Sequence, residues 1–587
     1  MSAVLRKLLA GVAVAGGGVA FGQTPPAPPV HHLPPVPTPT RDQVLAIPVR
    51  PAPDTVALPA QTPAAVPSAP PPAYAPAATP APAPAPAGDC GTCTACGPDW
   101  KAIPRVRTFP RPGNFPVLPT GPGYYSVLDL FRGTELKAPP KYPYPRFGLI
   151  QPSFFDADNF SYLDDPKNTE CDLFDPLKRI RVGDNLLFTT GGDVRSRYQN
   201  EYNSRLGPNN NDYHLTRLRV YGDLWFRDDF RLYAEGIGAF TTGQELRPLA
   251  IDDTGFDLLN VFADVKLLEL GDAPVYARVG RQELLFGSQR LVSPLDWANT
   301  RRTFQGARLF RTSEKTDVDL FWVQPVVPNP TALDVVDNNQ NFAGAWVTHR
   351  PDKQHAIDAY YLMLDNTNRV RQQNLTRGPF TRHTFGGRLT GQGVGCNENV
   401  LYDFEGAMQL GTQDRRNVVA GMATAGLGYH LKGMPWNPTI WGYYDYASGG
   451  VGDNINTFNQ LFPFGHYYLG WIDQVGRQNI HDVNAHLYLY PAKWLTVWVQ
   501  GHSFYLANRR DALYNAAGNA IRRDATGRAG SEVGQEVDVV LNFHLSKHAD
   551  VLVGYSHLWA GDFLKNTRGN TNTADMGQFF IQTSYRW

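Results

Sequence analysis

The most reactive side chains in this sequence gather in one place, Cys90-Gly-Thr-Cys93-Thr-Ala-Cys96. Thiolates at that spacing can contribute to a structural zinc site, but a tetrahedral site needs a fourth donor, and three cysteines are only a partial ligand set. A disulfide between neighbours in an oxidising compartment, or attachment to another envelope component, is the commoner outcome for such a cluster. Haem attachment requires histidine directly after the second cysteine of a C-x-x-C pair, and Thr94 and Gly97 stand there instead. The fourteen histidines form no H-E-x-x-H pair, and there is no G-x-S-x-G elbow. Ser503 beside His502 and Ser556 beside His557 are neighbours on strands, so their side chains point to opposite faces. No catalytic residue, cofactor or enzymatic activity is expected, and no metal beyond what Cys90, Cys93 and Cys96 could hold in part.

The remaining polar chemistry is distributed at every second position. Arg217, Arg219 and Asp223 alternate with Leu218, Val220 and Leu224, and Asp538 and Asn542 with Val537, Val539, Leu541 and Phe543. Asp403 and Glu405 alternate with Tyr402 and Phe404, and Asp482, Asn484 and His486 with Val483, Ala485 and Leu487. Two residues break the rule: Val540 and Phe580 place apolar groups on the polar face. A period of two over about ten residues marks an amphipathic strand, and clusters such as Arg227-Asp228-Asp229 and Leu270-Gly271-Asp272 mark the turns between strands. Counted from Leu187 onward, such stretches number about eighteen.

Composition agrees. Of 587 residues, 42% are hydrophobic and 12% aromatic, and 54 basic residues balance 54 acidic ones. That balance leaves no bulk field to recruit nucleic acid. Helical spans would need about twenty consecutive apolar residues, whereas a membrane barrel needs only alternate residues facing lipid. The reading is an all-β transmembrane antiparallel barrel of about eighteen strands at residues 186–587, behind an irregular and disordered N-terminal region.

That region divides by composition. Residues 1–22 carry Arg6 and Lys7, an apolar stretch and Ala20-Phe21-Gly22, the pattern of a cleavable secretory signal. Residues 23–89 are a Pro/Ala tether that cannot bury a core. Residues 90–185 show no sustained period and are expected to pack, irregularly, at the periplasmic end of the barrel. A soluble secreted all-β glycan-binding protein or lyase would also alternate. Three features favour the membrane: the final amphipathic strand Phe579–Trp587, Tyr and Trp at strand ends (Trp559, Tyr585, Trp587), and charges of both signs on the opposite faces.

Three stretches resemble the alginate-export family of barrels. They are Val279-Gly-Arg-Gln-Glu-Leu-Leu-Phe-Gly-Ser-Gln-Arg-Leu-Val292 with Trp297-Ala-Asn-Thr-Arg-Arg-Thr-Phe-Gln-Gly-Ala-Arg308, then Tyr443-Tyr-Asp-Tyr-Ala-Ser-Gly449, then Phe458–Asp473 running on to Gly476-Arg-Gln-Asn-Ile480. The resemblance covers about residues 186–587. It implies a monomeric outer-membrane barrel of eighteen strands whose lumen arginines attract an anionic polyuronate, with loops controlling access. The positions here that match are Arg281, Arg290, Arg308 and Arg477, with Asp296, Asp445 and Asp473 placed to orient them. Alternation adds Arg195, Arg197, Arg217 and Arg219 to the pore lining. Gln305, in Phe304-Gln305-Gly306, stands where the family would have Asp, so one local ion pair is absent from the pattern.

A guanidinium fork binds a carboxylate in two places, and a narrow lumen strengthens the attraction. The expected function is a passive outer-membrane channel, porin or exporter, for an anionic polysaccharide or a small acidic solute. A structural envelope protein whose barrel anchors the tether to periplasmic or wall partners is the alternative.

Overall fold

The computed structural model describes residues 119–140, 153–157, 160–169, 171–368, 375, 378–395, 397–450, 452–567 and 575–587. The signal segment, the Pro/Ala tether, the Cys90, Cys93 and Cys96 cluster and Cys396 lie outside the described residues.

Among the described residues, eighteen long strands follow one another in the sheet. They are β1 (Leu186–Tyr202), β2 (Asn211–Phe226), β3 (Phe230–Thr242), β4 (Gly255–Leu270), β5 (Ala273–Gln282) and β6 (Phe304–Arg311). Next come β7 (Thr316–Val327), β8 (Gln340–His349), β9 (His355–Asn366), β10 (Phe380–Val394), β11 (Asn397–Gln413) and β12 (Arg416–His430). The last six are β13 (Thr439–Ala447), β14 (Ile480–Ala492), β15 (Leu495–Leu506), β16 (Glu532–His544), β17 (Ala549–Ala560) and β18 (Met576–Arg586). Two short strands, Ile180–Val182 and Val335–Val336, attach at the margins. Every long strand pairs antiparallel with its neighbours in sequence, and β1 pairs with β18 from Asp193↔Arg586 to Tyr202↔Gly577. That last pairing closes the barrel, so no sheet edge is left for lipid to solvate.

The alternation is inside out relative to a water-soluble sheet. On β2, Arg217 and Arg219 are 1% and 0% exposed, whereas Leu218, Val220 and Phe226 on the other parity are open to the exterior. A soluble sandwich would bury the leucines and hydrate the arginines, so this pattern excludes the soluble alternative. Trp559 and Tyr585 also face outward, where amphipathic rings suit the membrane interface.

The two ends of the barrel differ. One end carries the tight connections 227–229, 271–272, 493–494 and 545–548, together with both ends of the barrel sequence. The other carries long connections, among them 243–254, 283–303, 328–339, 448–479 and 507–531. Outer-membrane barrels have short periplasmic turns and longer outer loops, which orients the molecule.

The interior is filled. Loops 283–303 and 448–479 turn inward and bury Leu284, Phe286, Leu291, Phe458, Leu461 and Trp471 against inward-facing Trp346, Tyr360, Trp498 and Phe580 of the wall. Val540 and Phe580, the two exceptions to alternation, belong to this core: the Phe580 ring stacks on Trp471 at 5.4 Å and meets Trp297 edge-on at 5.1 Å.

Candidate functional site

The loops are seated on a lumen wall of arginines. Arg195 and Arg197 lie two residues apart on β1 and therefore on one face, and Arg217 and Arg219 stand beside them on β2. Arg195 donates to the carbonyl oxygens of Asp296 (2.7 Å) and Ala298 (2.9 Å). Arg197 donates to the Trp297 carbonyl (2.8 Å) and to Gln582 (2.9 Å), and its guanidinium lies 3.4 Å from the centre of the Trp297 ring. Arg217 pairs with Asp296 at 3.0 Å. The Asp296 carboxylate also receives Arg301, which holds Glu283 as well. Loop 283–303 is thus fastened to β1 and β2 through its backbone, and braced internally by its own ions.

On the far wall, loop residue Arg290 reaches Asp403 at 2.7 Å and Glu405 at 2.9 Å, both on β11, and lies 4.5 Å from the Tyr468 ring of the second loop. Burial lowers its proton affinity, but Asp403, Tyr468 and Glu405 outweigh burial and hold the guanidinium well above the ordinary arginine range. Arg388 of β10 shares Asp403 at 2.7 Å. Arg302 differs: burial alone pulls it down to about 10, and it donates to the Ser293 and Pro463 carbonyls.

The second loop has its own anchors. Arg477 donates to Asp445 (2.5 Å) and Thr424 (3.1 Å). Arg382 of β10 donates to the Thr457 carbonyl (2.9 Å), Gln409 and Gln413. Gly470, at φ 85°, lets the loop backbone pass against Glu536, whose carboxylate accepts from Ile472 N–H at 3.0 Å. The two loops are joined to each other. Ser293 N–H donates to the Phe462 carbonyl and Phe462 N–H to the Leu291 carbonyl, both at 2.9 Å, and Trp297 stacks on His466 at 4.0 Å. A cavity of about 10 Å³, room for roughly one water, remains between Trp441, Tyr467, Tyr488 and His486.

The residues marked in the sequence fall into separate groups. Arg195, Arg197, Arg217 and Asp296 meet at one loop, and Arg477 meets Asp445 at the other. Arg219 is held by Asp193 (3.1 Å) and Glu235 (2.7 Å), and Arg308 by Asp319 (2.6 Å). Arg290 proves to belong to a loop and not to a strand. Arg281 stands apart: it shares strand parity with Val279, which is 62% exposed, and pairs with Asp257 at 3.0 Å. Its partner in register is Gln305. Asp473 meets His466 at 3.1 Å and no arginine marked in the sequence. Arg301, Arg382, Arg388 and Trp297 complete the site. Arg382 and Arg388 were accessible to parity, since both oppose Phe385 and Leu389 on β10, but the contribution of Arg301 and Trp297 depends on a loop path that no period encodes.

A family comparison agrees with this architecture. Residues 187–578 match the family described as Alginate export. Among solved structures, Pseudomonas aeruginosa OccK11 (OpdR) is similar at 12% identity and a TM-score of 0.46, over 68% of this chain and 95% of that one. Pseudomonas aeruginosa OpdQ is similar at 14% and 0.46, over 68% and 97%, and the Pseudomonas aeruginosa outer membrane protein OprD at 9% and 0.43, over 68% and 94%. No curated protein matches the chain. With two thirds of its length in the match and a closed barrel of the corresponding strands, the chain belongs to the alginate export family of outer-membrane channel proteins.

Proposed function

We propose that this channel passes an anionic polysaccharide of the polyuronate type, or a small acidic solute, passively across the outer membrane. The observation that supports an anionic cargo is the bonding of Arg195, Arg197 and Arg382. Each guanidinium is buried, and each is held by neutral oxygens of loop backbone or glutamine side chains. Most other lumen arginines already face a carboxylate, as Arg290, Arg308 and Arg477 do. A buried cation bonded to neutral acceptors leaves a positive local potential, and a carboxylate is the ligand that neutralises it. Once the loops withdraw, these three positions would line an electropositive path.

The filled lumen supports a second reading, a barrel that serves as an anchor for the N-terminal tether. Planar-bilayer recording separates the two. A channel gives discrete steps with an anion-selective reversal potential in a salt gradient, and Arg195→Gln, Arg197→Gln and Arg382→Gln together move that potential toward cation selectivity. Cation-selective steps unchanged by the triple variant would refute the anionic cargo. No steps, even with loop 448–479 shortened, would favour the anchor.

A further inference from the structure

The periplasmic mouth holds a second feature, independent of the loops. Ser153–Ala157, a short segment before the barrel, lies inside it: Phe154 and Phe155 are 1% and 2% exposed. The Phe154 ring stacks on Tyr221 at 4.7 Å, and Phe155 meets Phe262 at 5.0 Å and Tyr233 at 5.4 Å. Tyr221 and Tyr233 lie only a few residues inside the tight turn 227–229, which places the pair in the lower lumen.

Both rings are also covered by cations of the wall. Arg219 and Arg586 lie 4.1 and 4.6 Å from the centre of the Phe154 ring, and Arg278 lies 4.7 Å from that of Phe155. Arg231 donates to the Phe155 carbonyl at 3.3 Å. Carboxylates pair with the edges of these guanidiniums, Asp193 and Glu235 with Arg219, Asp223 with Arg231 and Asp264 with Arg278, and an aromatic ring is a neutral partner that fits a guanidinium face.

From this geometry we infer that Ser153–Ala157 is a built-in plug that seals the periplasmic mouth of the barrel and must withdraw before solute passes. The segment inserts two adjacent aromatic rings among inward-facing aromatics and caps the arginine faces with them. The seal is separate from the one made by the outer loops: it lies at the opposite end and comes from sequence outside the barrel. Its role in transport rests on the channel reading above, but its sealing of the mouth does not.

Thiol accessibility tests the seal without relying on conduction. In the full chain with all five native cysteines replaced by serine, Phe262→Cys is placed beneath Phe155 and treated with a membrane-impermeant maleimide from the periplasmic side. Reaction should be slow with the plug intact and at least ten times faster after Phe154→Ala and Phe155→Ala. Equal rates in the two proteins, fast or slow, would overturn the plug. Heat-modifiable migration confirms that both barrels are folded, and replacing 153–157 by Gly-Ser-Gly-Ser-Gly supplies a second opened protein with the same expected rate. Conductance of the same proteins with loop 448–479 shortened then reads the transport role. Steps that grow only when plug and loop are both removed support it, and steps of full size with the plug in place refute it. A thiol reaction that is fast only in the opened proteins, without any steps, would leave the seal standing and refute the channel.

Discussion

Replacing Arg290 by methionine should release loop 283–303 from the far wall without unfolding the barrel. Arg290 is the loop's ionic contact with β11, through Asp403 and Glu405. Removing one partner of a buried ion pair costs about 3–5 kcal/mol, because the charge left behind has lost both water and counter-ion. Here Asp403 keeps Arg388 at 2.7 Å and Glu405 keeps Tyr360 at 3.2 Å, both from the wall. The lower end, about 3 kcal/mol, is therefore appropriate, a factor of roughly a hundred in an equilibrium. The strand ladders do not pass through Arg290, so the loss falls on the docking of the loop. Trypsin cleavage after Arg301 or Arg302 in detergent-folded protein reads that equilibrium when opening is fast relative to cutting. Cleavage should rise about a hundredfold. Arg290→Lys, which keeps the charge but loses the fork, should fall between. A rate within about twofold of the unmodified protein would show that the pair does not hold the loop.

Trp297→Ala removes the ring that lies against Arg197, His466, Trp471 and Phe580; a loss of about 3–5 kcal/mol is expected, read by the same trypsin assay and by the order of loop 448–479 in hydrogen exchange. Gly280→Ala on β5, at φ 135°, would drive a methyl group into the Val261 carbonyl, so the refolded fraction in vesicles should fall while Ala277→Gly on the same strand has a smaller effect. Asp524, in the outer loop 507–531, is pulled down to about 2 by the Thr526 hydroxyl and by the backbone N–H groups of Ala529 and Thr526. A lowered carboxylate adds stability above its unfolded value near 4 and loses it as pH falls through about 2, so the Ala529 amide should keep its protection factor at pH 5 and lose it near pH 2, and Asp524→Asn should show neither the protection nor its pH dependence.

The barrel was legible because its rule is local. Period-two alternation on β2 or β14 states which residues face lipid, and closure follows from an even set of such strands. What parity could not show was what fills the lumen. Phe580 and Val540 looked like lapses on the polar face, and Phe580 faces Trp471 and Trp297 from loops about a hundred and nearly three hundred residues away in sequence. An apolar residue on a lumen face therefore marks a contact with an inserted segment. The arginines were legible as lumen residues but not as loop anchors, because Arg195 and Arg197 bind backbone carbonyls, and a carbonyl has no sequence identity. Arg281 shows the converse limit: it lies in the stretch that carries the family resemblance, yet its strand parity is that of the outer face, and its partner Asp257 sits beside a register shift on β4 near Glu235/Gly236 of β3. A bulge reverses parity for everything beyond it, and its position is set by the neighbouring strand.

Closing the barrel satisfies the backbone within the wall, so the loops can undock without breaking a strand ladder. The bonds that hold them then bear directly on cargo. Arg195, Arg197 and Arg382 dock the loops as charged donors to neutral acceptors, and a guanidinium–carboxylate pair, charged on both sides and able to bind bidentately, is stronger than a bond charged on one side. Exchanging loop carbonyls for substrate carboxylates thus favours the undocked state at each of the three arginines. The Arg290 contact opposes it, and a ligand moves an equilibrium only by its differential affinity for the two states. A soluble polyuronate should therefore speed tryptic cleavage of loop 283–303, while a neutral dextran of equal length should not. The acceleration should vanish when Arg195, Arg197 and Arg382 are all glutamine. Equal cleavage with the charged and the neutral polymer would refute the exchange, since the loops would then be held by contacts indifferent to the cargo.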